Sequence, residues 1–298
     1  MAIDNTTTVP KIVAAGFLAA YRKATIFQSR TNNIYRSLLG AYGNEVIINT
    51  GMTAGISDYT ANANITYENA DVGDAQTLQI TKNKSWAVKF DDLNAAVSLP
   101  NVLEETVRET ALSLALVVDA DVRAAMSAGA TAITAPAAID MEAITANSNL
   151  NPLKLDIVHR IMDEALMPRA GRWMIISSYT AAYMQRIGLT NSTIFGLSQG
   201  SSPLINGSLG SFAGFNVYVS PGNATVNKSA RTANEQILFG NDTACAFIDR
   251  VARTERLRLQ NTFADAVRGL YQYGSKVLYP NRIFKYTAPY TKIDVSGL

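Results

Sequence analysis

The stretch SLPNVLEETVRETALSLALVVDADVRAAMSAG, residues 98–129, constrains the fold more than any other part of the 298-residue chain. Asn101 is a helix N-cap, Glu104 stands three residues later as in a capping box, and Gly129 supplies a stop. The spacing predicts one helix of about 27 residues, a rod about 40 Å long. Leu103, Val107, Leu114, Val118, Val122 and Met126 form its apolar stripe. Glu104, Glu105, Arg108, Glu109, Asp119, Asp121 and Arg123 supply polar faces. Between Leu112 and Val118 the sequence is apolar almost all round, which predicts cover on more than one side.

Upstream, residues 45–92 lack a helical period. EVIINT, residues 45–50, reads as a strand, and residues 76–92 read as its partner, with Leu78, Ile80, Trp86, Val88 and Phe90 at period two. The result is a long hairpin whose intervening segment, AGISDYTANANITYENADVGD, is exposed. A projecting hairpin needs something to pack on. Before it, IVAAGFLAAY (residues 12–21) reads as a short amphipathic helix with Ile12, Phe17, Leu18 and Tyr21 on its apolar side. It is too short to span a bilayer, and Asp4 and Pro10 upstream make a poor signal-peptide start.

Downstream, Asn151 and Pro152 open a helix carrying Leu153, Ile157, Ile161 and Leu166. RWMIISSY (172–179) is a buried strand, and Thr180 to Ile187 a second short helix. Gly, Ser and Asn dominate residues 188–211. Strand-like runs follow at FAGFNVYVSPG, QILFG, ACAFID, RTERLRLQ and VRGLYQYGSKVLYP. Long helices lie early and strands late, so the fold class is α+β and not a doubly wound parallel sheet.

Candidate chemistry is sparse. GLSQG, residues 196–200, matches the five-letter elbow that presents a nucleophilic Ser198 in hydrolases, but its flank is too rich in Gly, Pro and Ser for the helix the elbow requires. The chain's single histidine, His159, precedes Ser198, whereas that arrangement needs one after it. His159 reads as a structural residue of a helix. One cysteine, Cys245, and one histidine give no metal-ligand spacing and no intrachain disulfide. Neither a dinucleotide fingerprint nor a phosphate loop is present. No catalytic, metal or cofactor site is expected, and a cytoplasmic site of folding follows from the cysteine usage.

Charge is distributed unevenly. Residues 1–150 hold 10 basic and 15 acidic side chains, residues 151–298 hold 16 and 9. Such asymmetry suits nucleic-acid contact, or docking of one copy's acidic part on another's basic part. The clearest cationic run is Arg250, Arg253, Arg256 and Arg258. In RTERLRLQ, Leu257 and Leu259 alternate with Arg256 and Arg258, and no aromatic interleaves them for base stacking. Ion pairs to another surface, or loose phosphate contact, fit this pattern.

Taken in order, VPKIVAAGFLAAYRKATIF, QTLQITKNKSWAVKFDD, GRWMIISSYTAAYM, GSLGSFAGFNVYVSPG and VRGLYQYGSKVLYPNRI resemble the major capsid (coat) proteins of tailed bacteriophages, with the HK-ninety-seven-type fold. The resemblance runs over nearly the whole chain. It implies an N-terminal arm at residues 1–40, an extended loop at 41–95, and a spine helix with part of the peripheral domain at 96–145. An axial domain at 146–240 and peripheral return strands at 241–298 complete the division. It implies a structural, non-enzymatic subunit that self-assembles as pentamers and hexamers into the icosahedral shell of a virion. That shell would enclose double-stranded DNA, touched non-specifically, and would be built in the bacterial cytoplasm without a membrane.

Because the arm begins almost at Met1, a separate scaffolding protein, with a portal, is the expected helper. Asp71, Asp74, Asp91 and Asp92 of the loop are expected to meet Arg253, Arg256 and Arg258 of another copy. Some members of the family cross-link a loop lysine; Lys82, Lys84 and Lys89 fall in that region, marked by position alone. A cellular nanocompartment shell of the same fold is the alternative, and a serine hydrolase using Ser198 the remote one.

Overall fold

The computed structural model describes residues 25–39, 43–49, 56, 58–61, 64, 67, 75–91, 102–133, 139–140, 155–190, 211–212, 214–227 and 229–293. The long helix, α1, runs Val102–Gly129, within a residue of the limits set by its cap and its terminal glycine. Val107, Leu114, Val118, Val122 and Met126 are buried as the stripe requires, joined by Ala111 and Ala115. Among the described residues, cover on a second side is not found. Leu116 and Val117 remain 63% and 44% exposed, because both sheets beneath α1 lie against the same side of the helix.

Those sheets set the architecture. The larger has eight strands in the order β4 (Thr131–Ile133), β13 (Ile283–Thr291), β10 (Thr232–Asn241), β6 (Arg172–Ile176), β8 (Phe215–Val219) and β7 (Ser211–Phe212). β5 (Ile139–Asp140) also pairs with β13, and β9 (Ala224–Asn227) with β10. Parallel and antiparallel pairings coexist: β6 runs parallel to β8, whereas β10 is antiparallel to both β6 and β13. The last strand thus returns to the middle of the sheet. On one face pack α2 (Leu155–Glu164) and α3 (Ser178–Thr190), with Val158, Met162, Met184, Phe215, Ile237, Phe239 and Tyr286 between. Trp173, Ile175, Leu238 and Ile283 point from the other face to α1.

The second sheet has three strands, β11 (Cys245–Arg258), β12 (Ala264–Val277) and β3 (Lys82–Asp91), in that order. Phe247, Tyr271 and Tyr273 join the α1 core, while Ala246 and Ile248 point oppositely. That opposite face is covered by a third, two-stranded sheet of β1 (Glu45–Asn49) and β2 (Ala75–Gln79), whose Val46, Ile48 and Leu78 are buried on it. Gln76 and Lys276 clamp this crossing at 3.1 Å each: Gln76 donates to the carbonyl of Leu278, just past β12, and Lys276 to that of Thr77 in β2.

β1 and β2 pair antiparallel as expected, Glu45 opposite Gln79. The one long strand expected over residues 76–92 is instead two. After Ile80, whose N–H donates to the Asn44 carbonyl at 2.9 Å, the chain leaves β1 and pairs with β12, Trp86 opposite Gly269. The apolar alternation keeps the same parity through the break, so the change of partner leaves no mark in the pattern. Likewise ACAFID and RTERLRLQ are one strand, β11, interrupted by a register shift between Val251 and Arg253.

Two buried polar clusters join the elements. Asp119 of α1, desolvated so that its carboxyl lies above the usual range, accepts the N–H groups of Ile26 at 3.0 Å and Gln28 at 3.1 Å. This pins residues 25–28 to the helix. In the larger sheet, Arg172 is enclosed and donates to Asp163 at 2.7 Å and to the Met167 carbonyl at 2.6 Å. His159, which neighbours that guanidinium at 3.4 Å, stacks at 4.3 Å between ring centroids on Phe215.

Candidate assembly interface

Beyond the Val251/Arg253 shift, β11, β12 and β3 continue together as a three-stranded projection towards a tip at residues 259–263. Alternation sorts its side chains by face. Arg256 and Arg258 stand on one face with Asp265 and Val267; Glu255 and Leu257 stand on the other with Arg268 and Ala266. This matches the separation of leucines from arginines expected in RTERLRLQ.

The arginines are not isolated charges. Arg256 donates to Asp265 at 2.5 Å and Arg258 to the same carboxylate at 3.2 Å. On the other face Glu255 accepts from Arg268 at 2.6 Å and pairs with Arg253. The Arg268 hydrogen bond, with Arg253 nearby, holds the Glu255 carboxyl below its ordinary range. Arg256 and then Arg258 do the same for Asp265. Such lowered groups stabilise the folded chain above the usual carboxylate range and lose that contribution as pH falls through their lowered values.

Sequence reasoning passed over Asp265, and took Glu255 only as an interruption of the arginine run, although Glu255/Arg268 and Arg258/Asp265 are directly opposed pairs. It also passed over Phe263, which sits at the tip 83% exposed. The run ending in Arg258 and the segment beginning at Ala264 flank a short polar turn, and laying them in antiparallel register is the signal that would have found the pairs.

Of the loop carboxylates, Asp91 ends β3 opposite Ala264, one residue from the Arg258/Asp265 pair. Asp71, Asp74 and Asp92 lie outside the described residues, as do Ser198 and the rest of GLSQG. Among the loop lysines, Lys82 and Lys84 approach Asp121 of α1 at 4.0 and 3.8 Å and tie β3 to the helix, while Lys89 stands exposed on the opposite face. Arg250 is committed inside the chain, donating to Gln272 at 2.7 Å and to Asn44 at 3.1 Å. Among the described residues no three His, Cys, Asp or Glu side chains gather as a metal site, and no helix is long and apolar enough to cross a membrane.

No family model matches the chain, and no curated protein matches its sequence. Solved structures do match its backbone. One from Mycobacterium phage Che8 is 22% identical with a TM-score of 0.68, covering 88% of this chain and 90% of that one. The capsid structure of cyanophage P-SCSP1u is 17% identical with a TM-score of 0.68, covering 89% and 88%. A virus-like particle from Pyrococcus furiosus is 10% identical with a TM-score of 0.53, covering 95% of this chain and 100% of that one. Similarity this complete at such low identity is similarity of fold.

Proposed function

We propose that this chain, whose α+β fold is that of tailed-phage capsid structures, is a major capsid protein: a structural subunit that closes with copies of itself into an icosahedral shell around double-stranded DNA. The observation that carries the reading is the coverage of about nine-tenths of both chains in matches to phage structures, one of them a capsid. Nothing large is left over in this chain for a separate catalytic domain. The division into arm, loop, spine, axial and peripheral parts at 1–40, 41–95, 96–145, 146–240 and 241–298 belongs to this proposal, with β13 returning from the last part to pair with β10. Pentamers and hexamers, assembly in the bacterial cytoplasm, a separate scaffold, a portal and non-specific DNA contact belong to it too.

Negative-stain microscopy of the purified protein is the test. Closed particles of uniform size are expected; a chain that stays monomeric with its scaffold supplied, across salt and pH, overturns the reading. A nanocompartment shell is the second reading, favoured by the match to the Pyrococcus furiosus virus-like particle. Nuclease-protected DNA inside particles supports the first reading, and co-purifying protein cargo the second.

Within the shell we place Asp71, Asp74, Asp91 and Asp92 of one copy against Arg253, Arg256 and Arg258 of the next. A guanidinium has five donors, so the hold of Arg256 and Arg258 on Asp265 leaves capacity for a second carboxylate. One exposed pair of this kind contributes about 0–1 kcal/mol, and repetition by symmetry makes the sum matter. Asp71→Lys with Asp74→Lys should cut particle yield several-fold. Arg256→Glu with Arg258→Glu, made alongside Asp265→Asn so that the hairpin does not repel itself, should restore part of it. Equal yields with and without the second set refute the pairing.

A further inference from the structure

The exposed side of α1 carries a line of side chains that no other described element covers, with Glu105 paired inside the helix to Arg108 at 3.9 Å. Glu105, Glu109, Leu112 and Leu116 recur at four, three and four, the spacing of one helix face. Val117, Ala120 and Ala124 flank the line and are exposed. Among the described side chains of α1, Leu116 and Val117 are the exposed large apolar ones. Ser113, Ala120 and Ala124 are small enough to let a second helix come close.

Where the preceding chain enters identifies an occupant. Asp119 lies one turn beyond Leu116, and its carboxylate holds the N–H groups of Ile26 and Gln28, with Thr25 buried beside it. The described chain therefore begins at the edge of this face. Tyr21 is four residues before Thr25, a reach of at most about 14 Å. Residues 12–21 carry Ile12, Phe17, Leu18 and Tyr21 at helical spacing. A tether so short holds such a segment at an effective concentration that no separate partner matches.

We propose that residues 12–21 seat on α1 of the same chain, with Phe17 and Leu18 against Leu116, Val117 and Ala120. Ten helical residues cover about 15 Å. A segment running back from Asp119 towards the start of α1 then brings Lys11 level with Glu109 and Glu105, whose charge is opposite. The seat supplies the second cover that the apolar run Leu112 to Val118 calls for. It does not depend on the shell assignment, since it is made within one unassembled chain.

The test uses the dilute, unassembled full chain with Phe17→Cys and Leu116→Cys and a short bis-maleimide. Native Cys245 is fully buried with its thiol pushed up to about 12, so it stays unreactive. An intrachain link between the two cysteines is expected, with none when Thr262→Cys at the hairpin tip replaces Leu116→Cys. In the single Leu116→Cys chain, adding Phe17→Asp and Leu18→Asp should speed maleimide labelling at least ten-fold. A link found only between chains, whether from another copy's segment or from Leu116→Cys to Leu116→Cys, overturns the proposal. Labelling unchanged by the two aspartates does so equally.

Discussion

Gly274→Ala is expected to lower stability by about 3 kcal/mol or more, at or beyond the upper end for forcing extra atoms into a packed site. An added Cβ at this position of β12 falls 1.9 Å from the Gln79 carbonyl oxygen, 2.8 Å from its carbon and 3.1 Å from the Ile80 Cα. All three are backbone atoms, so no rotamer change relieves the clash. β2 must lift from β12, exposing Leu78, Val46 and Ile48, which are buried against Ala246, Ile248 and Leu278. Backbone strain has no part in this: Gly274 is not among the positive-φ glycines. Urea unfolding should show the lost stability, and hydrogen exchange should show lost protection at residues 44–49 and 75–80 while α2 and α3 keep theirs. Gly222→Ala, with nothing within 4 Å of the added carbon, is the neutral control. A Gly274→Ala chain as stable as the Gly222→Ala chain removes the steric account of how the small sheet is seated.

That crossing illustrates what local pattern carries and what it does not. α1 was legible to within a residue because its start and stop are local chemistry, Asn101 with Glu104 and then Gly129. β8 was legible from alternation and β12 as a strand-like run, whereas β11 was read as two runs because the shift at Val251/Arg253 interrupts it. The division of residues 76–92 between two sheets was not, since Leu78 and Ile80 keep step with Trp86, Val88 and Phe90 although they face different partners. The arginine cluster was legible as charge, but its partners depend on antiparallel register beyond the shift at Val251/Arg253. The open side of α1 is a third case. An all-round apolar run says that cover is needed, whereas only the position of Asp119 against Ile26 and Gln28 says from which direction the chain arrives.

Least legible of all was Glu235, a carboxylate with no exposure on the apolar face of β10, and its removal is the second large effect expected. Ser177 caps α3: its hydroxyl oxygen accepts the Tyr179 N–H at 3.1 Å and its carbonyl accepts the Ala181 N–H at 3.1 Å. The Ser177 N–H and hydroxyl both donate to Glu235, and the Thr180 hydroxyl donates to it at 2.7 Å. With its proton spent there, Thr180 accepts from the Tyr290 hydroxyl. One side chain thus ties α3, the end of β6, β10 and β13 together across 55 to 110 residues of sequence.

Glu235→Ala strands three donors in the core and should cost roughly 3–5 kcal/mol, at about 1–3 kcal/mol for each unsatisfied group with partial relief from hydroxyl rotation. Glu235→Gln keeps an acceptor for the Ser177 N–H and donates to both hydroxyl oxygens, leaving the Ser177 hydroxyl proton and one proton of the Thr180–Tyr290 pair without this acceptor; about 1–2 kcal/mol is expected, less than for Glu235→Ala. Burial raises the Glu235 carboxyl above its ordinary range, against the opposing pull of the Ser177 and Thr180 hydrogen bonds. A raised acid binds its proton more tightly folded than unfolded. Its contribution is therefore complete below the ordinary glutamate range and is lost as pH rises through the folded value. Glu255 and Asp265, held low by Arg268 and Arg256, work in the opposite sense, so the whole-chain profile mixes the two. The gap in urea midpoint between the native chain and Glu235→Gln isolates the term: it should narrow as pH rises from 4 towards neutrality. A gap that widens instead means that the hydrogen bonds outweigh burial and that Glu235 is held as the anion.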